Sequence, residues 1–203
     1  MVTCTFLLAR SRRAHYKAGM IFKTMTLALC GVLLSAGSVN AQAPAHDGRH
    51  DFDFEFGDWH AKVARLVGPL SGSTTWAHYE GPSIVRRIWD GGGNLGEIDL
   101  TGPAGRIRGM SLRLYDPQAR QWSIRWANSK DGALGEPMIG GFANGRGEFY
   151  NQETYEGRAV FVRFVFSGIT ANAFRLEQAF SADGGRSWEA NWIATFERRK
   201  PAT

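Results

Sequence analysis

Cysteine, histidine and long apolar runs are scarce in this chain of 203 residues, and each shortage removes a class of function. The two cysteines, Cys4 and Cys30, both precede residue 44, so the segment that follows has no disulfide and no thiol chemistry. No histidine follows His78, which leaves the C-terminal half without a proximal imidazole for haem, although tyrosine can also ligate iron. The apolar run from Leu27 to about Ala36 falls short of the roughly 20 residues that a membrane-spanning helix needs. A Ser-centred nucleophile motif, a Gly-rich phosphate loop and zinc-ligand spacing are all missing. So is any long amphipathic helical pattern.

Net charge is also missing once the chain is divided. Met20 to Ala43 has an early Lys23, an apolar stretch, and an A-x-A site at Ala41-Gln42-Ala43, the pattern of a secretory signal peptide cut after Ala41 or Ala43. Residues 1–43 are therefore expected to be a leader, with 20–43 the signal peptide and 1–19 an over-called start. Ser11-Arg12-Arg13 offers a partial twin-arginine alternative. Of the 24 basic residues, five (Arg10, Arg12, Arg13, Lys17 and Lys23) precede the cut and all 19 acidic residues follow it, so the remainder is formally neutral. The basic pI belongs to the leader and gives no support for a nucleic-acid partner. Export to the periplasm or beyond, without stable membrane insertion, is the expectation.

What remains is about 160 residues, enough for one domain with a substantial core. Residues 44–51 follow Pro44, contain Gly48, and read as a flexible lead-in; 52–199 read as the domain. His46 and His50 with nearby aspartates would suit a metal only if that lead-in were helical, so no metal is expected. Gly and Pro recur about every ten residues, as in an all-β sandwich or barrel. Candidate strands run near 59–67, 73–80, 83–90, 95–101, 106–115, 121–128, 134–142, 147–154, 159–167, 172–181 and 187–198. Trp122, Ile124 and Trp126 share one strand face, and Trp188, Ala190, Trp192, Ala194 and Phe196 are expected to share another. Asp116-Pro117 marks a turn. Ser181-Ala182-Asp183-Gly184-Gly185-Arg186-Ser187-Trp188 has Asp-box spacing, in which Asp183 caps turn amides and Trp188 packs beneath. One box without repeats reads as a well-made hairpin and not as a propeller.

The run Phe52-Asp53-Phe54-Glu55-Phe56-Gly57-Asp58-Trp59 leads this domain. Gly57-Asp58-Trp59 resembles the first-strand Gly-x-Trp motif of lipocalin and calycin barrels, which follows a short helical plug. That resemblance implies that the Trp59 indole packs against an arginine ending the last strand, Arg198 or Arg199 here. The longer pattern adds Val85–Gly92, Ser111–Trp122, Gly145–Glu153 and Phe180–Arg199. Over about Phe52 to Arg199 it resembles a family of secreted bacterial proteins of unknown function with a lipocalin-like fold. The resemblance implies a single antiparallel up-and-down β-barrel with a short N-terminal plug, and transfers no catalytic residues. The absent disulfides and the number of strands point to about ten strands, nearer the fatty-acid-binding type.

Candidate chemistry is carried by arginines, carboxylates and tryptophans. Arg87, Arg113, Arg125, Arg163 and Arg175 alternate with mostly apolar neighbours on expected strands, and an inward arginine suits a carboxylate or phosphate head group. Arg163 leads, because Val160–Phe166 is otherwise continuously apolar and reads as buried on both faces. Trp76 and Trp126 are candidates to line an apolar pocket. Glu97 and Asp99 share a strand face about 7 Å apart, a spacing open to acid–base work, with Glu153 as a further carboxylate. The expected role is non-enzymatic binding of a small amphipathic or hydrophobic molecule, with no cofactor. The alternatives are a carboxylate-based or carbohydrate-active enzyme and a ligand-free envelope interaction module. The sequence leaves the oligomeric state open.

Overall fold

The computed structural model describes residues 46–200; the expected leader lies outside them. Ten strands close into an antiparallel barrel: β1 Gly57–Leu66, β2 Trp76–Ile88, β3 Gly93–Gly102, β4 Gly105–Asp116, β5 Gln121–Asn128, β6 Met138–Ala143, β7 Arg146–Tyr155, β8 Arg158–Ser167, β9 Ala173–Ser181 and β10 Glu189–Arg198. Each strand pairs with its neighbours in sequence, and β1 pairs with β10 to close the ring. Closure leaves no free sheet edge.

Ten strands arise where eleven segments were expected because 73–80 and 83–90 fuse across Gly81-Pro82 into the 13-residue β2. Proline usually interrupts a strand. Here the preceding glycine lets β2 and β3 approach so closely that a Cβ at Gly81 would stand 2.2 Å from the Asp99 carbonyl oxygen. The chain bends through the pair and the ladder resumes in the same register, Glu80 opposite Thr101 and Ser83 opposite Ile98.

One end of the barrel is sealed by the segment before β1. A 3-10 turn, Asp53–Glu55, inserts the fully buried Phe52 among Trp122, Phe142, Phe149 and Phe166, at ring-centroid distances of 4.9–5.6 Å. The contacts to Trp122, Phe142 and Phe166 are edge-on, an arrangement that contributes about 0.5–1.5 kcal/mol each beyond buried area. Trp59 is also fully buried and donates its indole N–H to the Glu55 carbonyl at 2.7 Å. The Arg198 guanidinium lies 4.1 Å from the Trp59 ring centroid and donates to the carbonyls of Phe56, Phe54 and Ala171. The last strand thus clamps the plug. Residues 46–51, expected to be flexible, are folded against the same end, where the Gly48 carbonyl accepts the Trp122 indole N–H at 2.8 Å. His46 pairs with Asp51 and His50 with Asp53, so the two imidazoles go to separate carboxylates.

Candidate functional site: a cavity with a polar floor

The barrel encloses a cavity of about 990 Å³, at the upper end of the range for small-molecule sites. Period-two alternation decides what lines it. Ala61 and Val63 of β1, Val85 of β2, Ile98 of β3, Ile124 of β5 and Leu176 of β9 form an apolar wall. Trp126 and Trp192 add indoles to it. Asn128, Lys130, Glu136, Gln152 and Glu153 make a polar rim toward the end away from the plug.

At the floor the plug and strands β2 to β4 converge on a polar group. Glu55 is 1% exposed and Arg113 7% exposed, and both line the cavity with Ser83 and Ser111. Arg113 Nη1 lies 3.0 Å from Glu55 Oε2 and donates to Asn94 Oδ1 at 2.9 Å. Its guanidinium sits 5.2 Å from the Phe52 ring centroid. Gly96 makes room for it, since a Cβ there would come within 3.0 Å of Arg113 Nη1. The floor is under-satisfied. Glu55 Oε2, Arg113 Nε and Asn94 Nδ2 are buried without hydrogen-bond partners. Burial outweighs the attraction of Arg113 and lifts the Glu55 carboxyl from 4.5 to about 7. Burial likewise lowers the Arg113 guanidinium, against the pull of Glu55. Near neutral pH the floor therefore carries a cation that its partner only partly neutralises.

The residues singled out from sequence are dispersed. Arg113 faces the cavity floor, Trp126 its wall and Glu153 its rim, where Glu153 accepts from Asn151 Nδ2 at 2.8 Å. Arg163 points the other way, contrary to expectation. Val160, Val162, Phe164 and Phe166 take the inward positions of β8, which leaves Arg163 on the outer wall, its guanidinium 4.6 Å from the Trp188 ring centroid. Apart from Arg163 the outer face of β8 is apolar without being buried throughout, with Phe161 42% exposed. Trp188 reaches that wall because a bulge at Asn191 breaks the expected alternation of β10: Ala190 pairs with Ala179, yet Trp192 pairs with Gln178. Arg87 is exposed, 3.8 Å from Asp53 and stacked over Phe56; Arg125 donates to the Gly135 carbonyl; Trp76 is absent from the cavity lining.

Glu97 and Asp99 share the outer face of β3, where Arg86 binds the first and Arg106 the second. The hydrogen bond from Arg106 holds the Asp99 carboxyl below its ordinary range. Glu153 stands on β7, remote in the sheet order, so these three carboxylates do not converge. Among the described residues no cluster of His, Cys, Asp and Glu could hold a metal, and no helix is long and apolar enough to cross a membrane. Sequence reasoning missed Glu55. Its available signal was weak, since Asp51, Asp53 and Glu55 all alternate with Phe52, Phe54 and Phe56 and nothing in that pattern singles out the buried one.

No family model and no curated protein matches the chain. The fold has counterparts among solved structures. The S-type phycobiliprotein lyase CPES from Guillardia theta matches with a TM-score of 0.52 at 9% identity, over 77% of this chain and 97% of that one. EF1p2_mFAP2b bound to DFHBI matches at 8% identity over 75% of this chain and 99% of that one, with a TM-score of 0.42. At such identity the likeness to the lyase is one of fold alone, and the fold here is a closed antiparallel barrel of ten strands.

Proposed function

We propose that this chain is an exported binding protein of the secreted lipocalin-like family that its motifs resemble. It holds a small amphipathic molecule with the apolar part along the wall and an anionic head at Arg113. The observation that carries this reading is a buried arginine opening onto a large apolar cavity, with an unpartnered Nε and an incompletely ionised carboxylate beside it. A fork of guanidinium donors suits a carboxylate, phosphate or sulfonate, and pairing it in a low-dielectric site relieves an under-satisfied cation. Export rests on the A-x-A leader and on the cysteine-free neutral domain that follows it.

Trp126 and Trp192 lie on the cavity wall and report on its contents. Titration with decanesulfonate is expected to give a saturable blue shift of tryptophan emission that weakens in Trp126→Phe. A spectrum unmoved by both decanesulfonate and decanol would overturn the binding reading. Amino-terminal sequencing of the protein recovered from the cell envelope tests export, with a start after Ala41 or Ala43 expected; an intact leader on all of the protein contradicts it.

A further inference from the structure

We infer that seating an anionic head group on Arg113 draws one proton from solvent onto the Glu55 carboxylate, which makes the barrel a proton-linked carrier of amphipathic anions. The inference rests on the anion seat proposed above and adds a regulation to it.

The geometry forces the choice. Among the described residues Arg113 is the one cation whose charged atoms touch the Glu55 side chain, at 3.0 Å. The other polar groups on the strands that pack there are neutral: Asn94 on β3, Ser111 on β4 and Ser83 on β2. Within the plug, the Asp53 carboxylate turns outward to His50 and Arg87. Arg198 spends its donors on backbone carbonyls and its face on Trp59. A ligand anion that takes Arg113 therefore leaves Glu55 as a second anion in a desolvated floor with no other cation in contact. Burying an unpaired carboxylate is costly, and the group takes a proton instead. The balance is simple: carboxylate plus a solvent proton becomes a carboxylic acid, and Arg113 exchanges one anionic partner for another. The new O–H also becomes a donor facing the ligand head.

Burial already holds the Glu55 carboxyl near the top of the range needed for this exchange, at about 7. Linkage then fixes the sign. Below that value Glu55 is already protonated and anion affinity is flat with pH; above it each unit of pH lowers anion affinity about tenfold, until the carboxyl of the complex itself ionises.

The test is calorimetry on the full-length chain with decanesulfonate, which stays anionic throughout, and with decanol, which is neutral. Between pH 7.5 and 8.5 decanesulfonate is expected to bind about tenfold more weakly at the higher value. At pH 8 its heat should differ between phosphate and Tris by the ionisation heat of nearly one proton. Decanol should show neither effect, and in Glu55→Gln the pH dependence for decanesulfonate should vanish. The wild-type buffer comparison decides the matter even if that variant folds poorly. Decanesulfonate binding that is flat in pH and independent of buffer overturns the proton linkage and leaves the binding reading standing. Decanol binding without decanesulfonate overturns the anion seat and the linkage together, and failure of both probes overturns the binding reading itself.

Discussion

Two residues show how little freedom the plugged end of the barrel has. Gly57 has φ +114°, and a Cβ there would stand 2.9 Å from Arg198 Nη1, so an added methyl both strains the backbone and pushes the clamp away. Gly57→Ala is expected to lower stability by about 1–3 kcal/mol in urea unfolding; an unchanged midpoint would contradict the clamp. Arg113 sits deeper, and its worth is in binding. Arg113→Gln should weaken decanesulfonate about ten- to hundredfold, the range for a charge-assisted hydrogen bond, and leave decanol nearly unaffected; equal losses for both probes would mean a collapsed cavity. Of these groups, Gly57, Trp59 and an arginine at 198 or 199 were legible only through the resemblance to the lipocalin Gly-x-Trp motif, and the structure places Arg198 on the indole. Arg113 was legible only as a residue type. A strand arginine faces in or out according to a register that a one-residue slip reverses.

At the scale of elements, β8 and β10 show where that reversal happened. Hydropathy along Val160–Phe166 is continuous, so nothing in it indicates which face Arg163 takes. The deciding contact comes from Trp188, across a bulge that the sequence does not announce. Arg163→Met is accordingly expected to leave decanesulfonate affinity within about twofold, and a tenfold loss would contradict the outward assignment. The Asp-box reading of the turn was local and therefore legible: Asp183 accepts from the Ser187 hydroxyl and amide and from the Ser181 hydroxyl, which together hold its carboxyl well below the ordinary range. The barrel wall is uneven. β4 and β5 pair through eight residues but β5 and β6 through three, with one further bridge from Ala127 to Leu134. Amide hydrogen exchange should be fastest along this seam and the adjoining loop 129–137, and slowest on β8 and β9. Uniform protection around the ring would contradict the seam as the weakest joint.

For the whole molecule, turn spacing and strand alternation indicated an all-β sandwich or barrel and the lipocalin-like resemblance implied the closed barrel, whereas the cavity and its floor depend on how ten strands share one interior. The floor leaves a mark on global stability. An unfolded glutamate titrates near 4.5 and Glu55 in the fold near 7, so the folded state holds an extra proton between those values. Stability therefore falls as pH rises through that window, by a total on the order of 3 kcal/mol, and levels off above it. Glu55→Gln should flatten that slope in chemical denaturation between pH 4.5 and 7.5, and a slope that persists in the variant would assign it elsewhere. Asp183 acts with the opposite sign and in a lower window: its contribution is present above the ordinary aspartate range and is lost as pH falls below it. The central claim is that the barrel interior holds a small amphipathic anion. Native mass spectrometry of the protein, purified without detergent from the cells that make it, tests this most directly. A complex one small molecule heavier than the protein is expected, with the added mass lost in Arg113→Gln. An empty barrel that stays empty when decanesulfonate is supplied would contradict it.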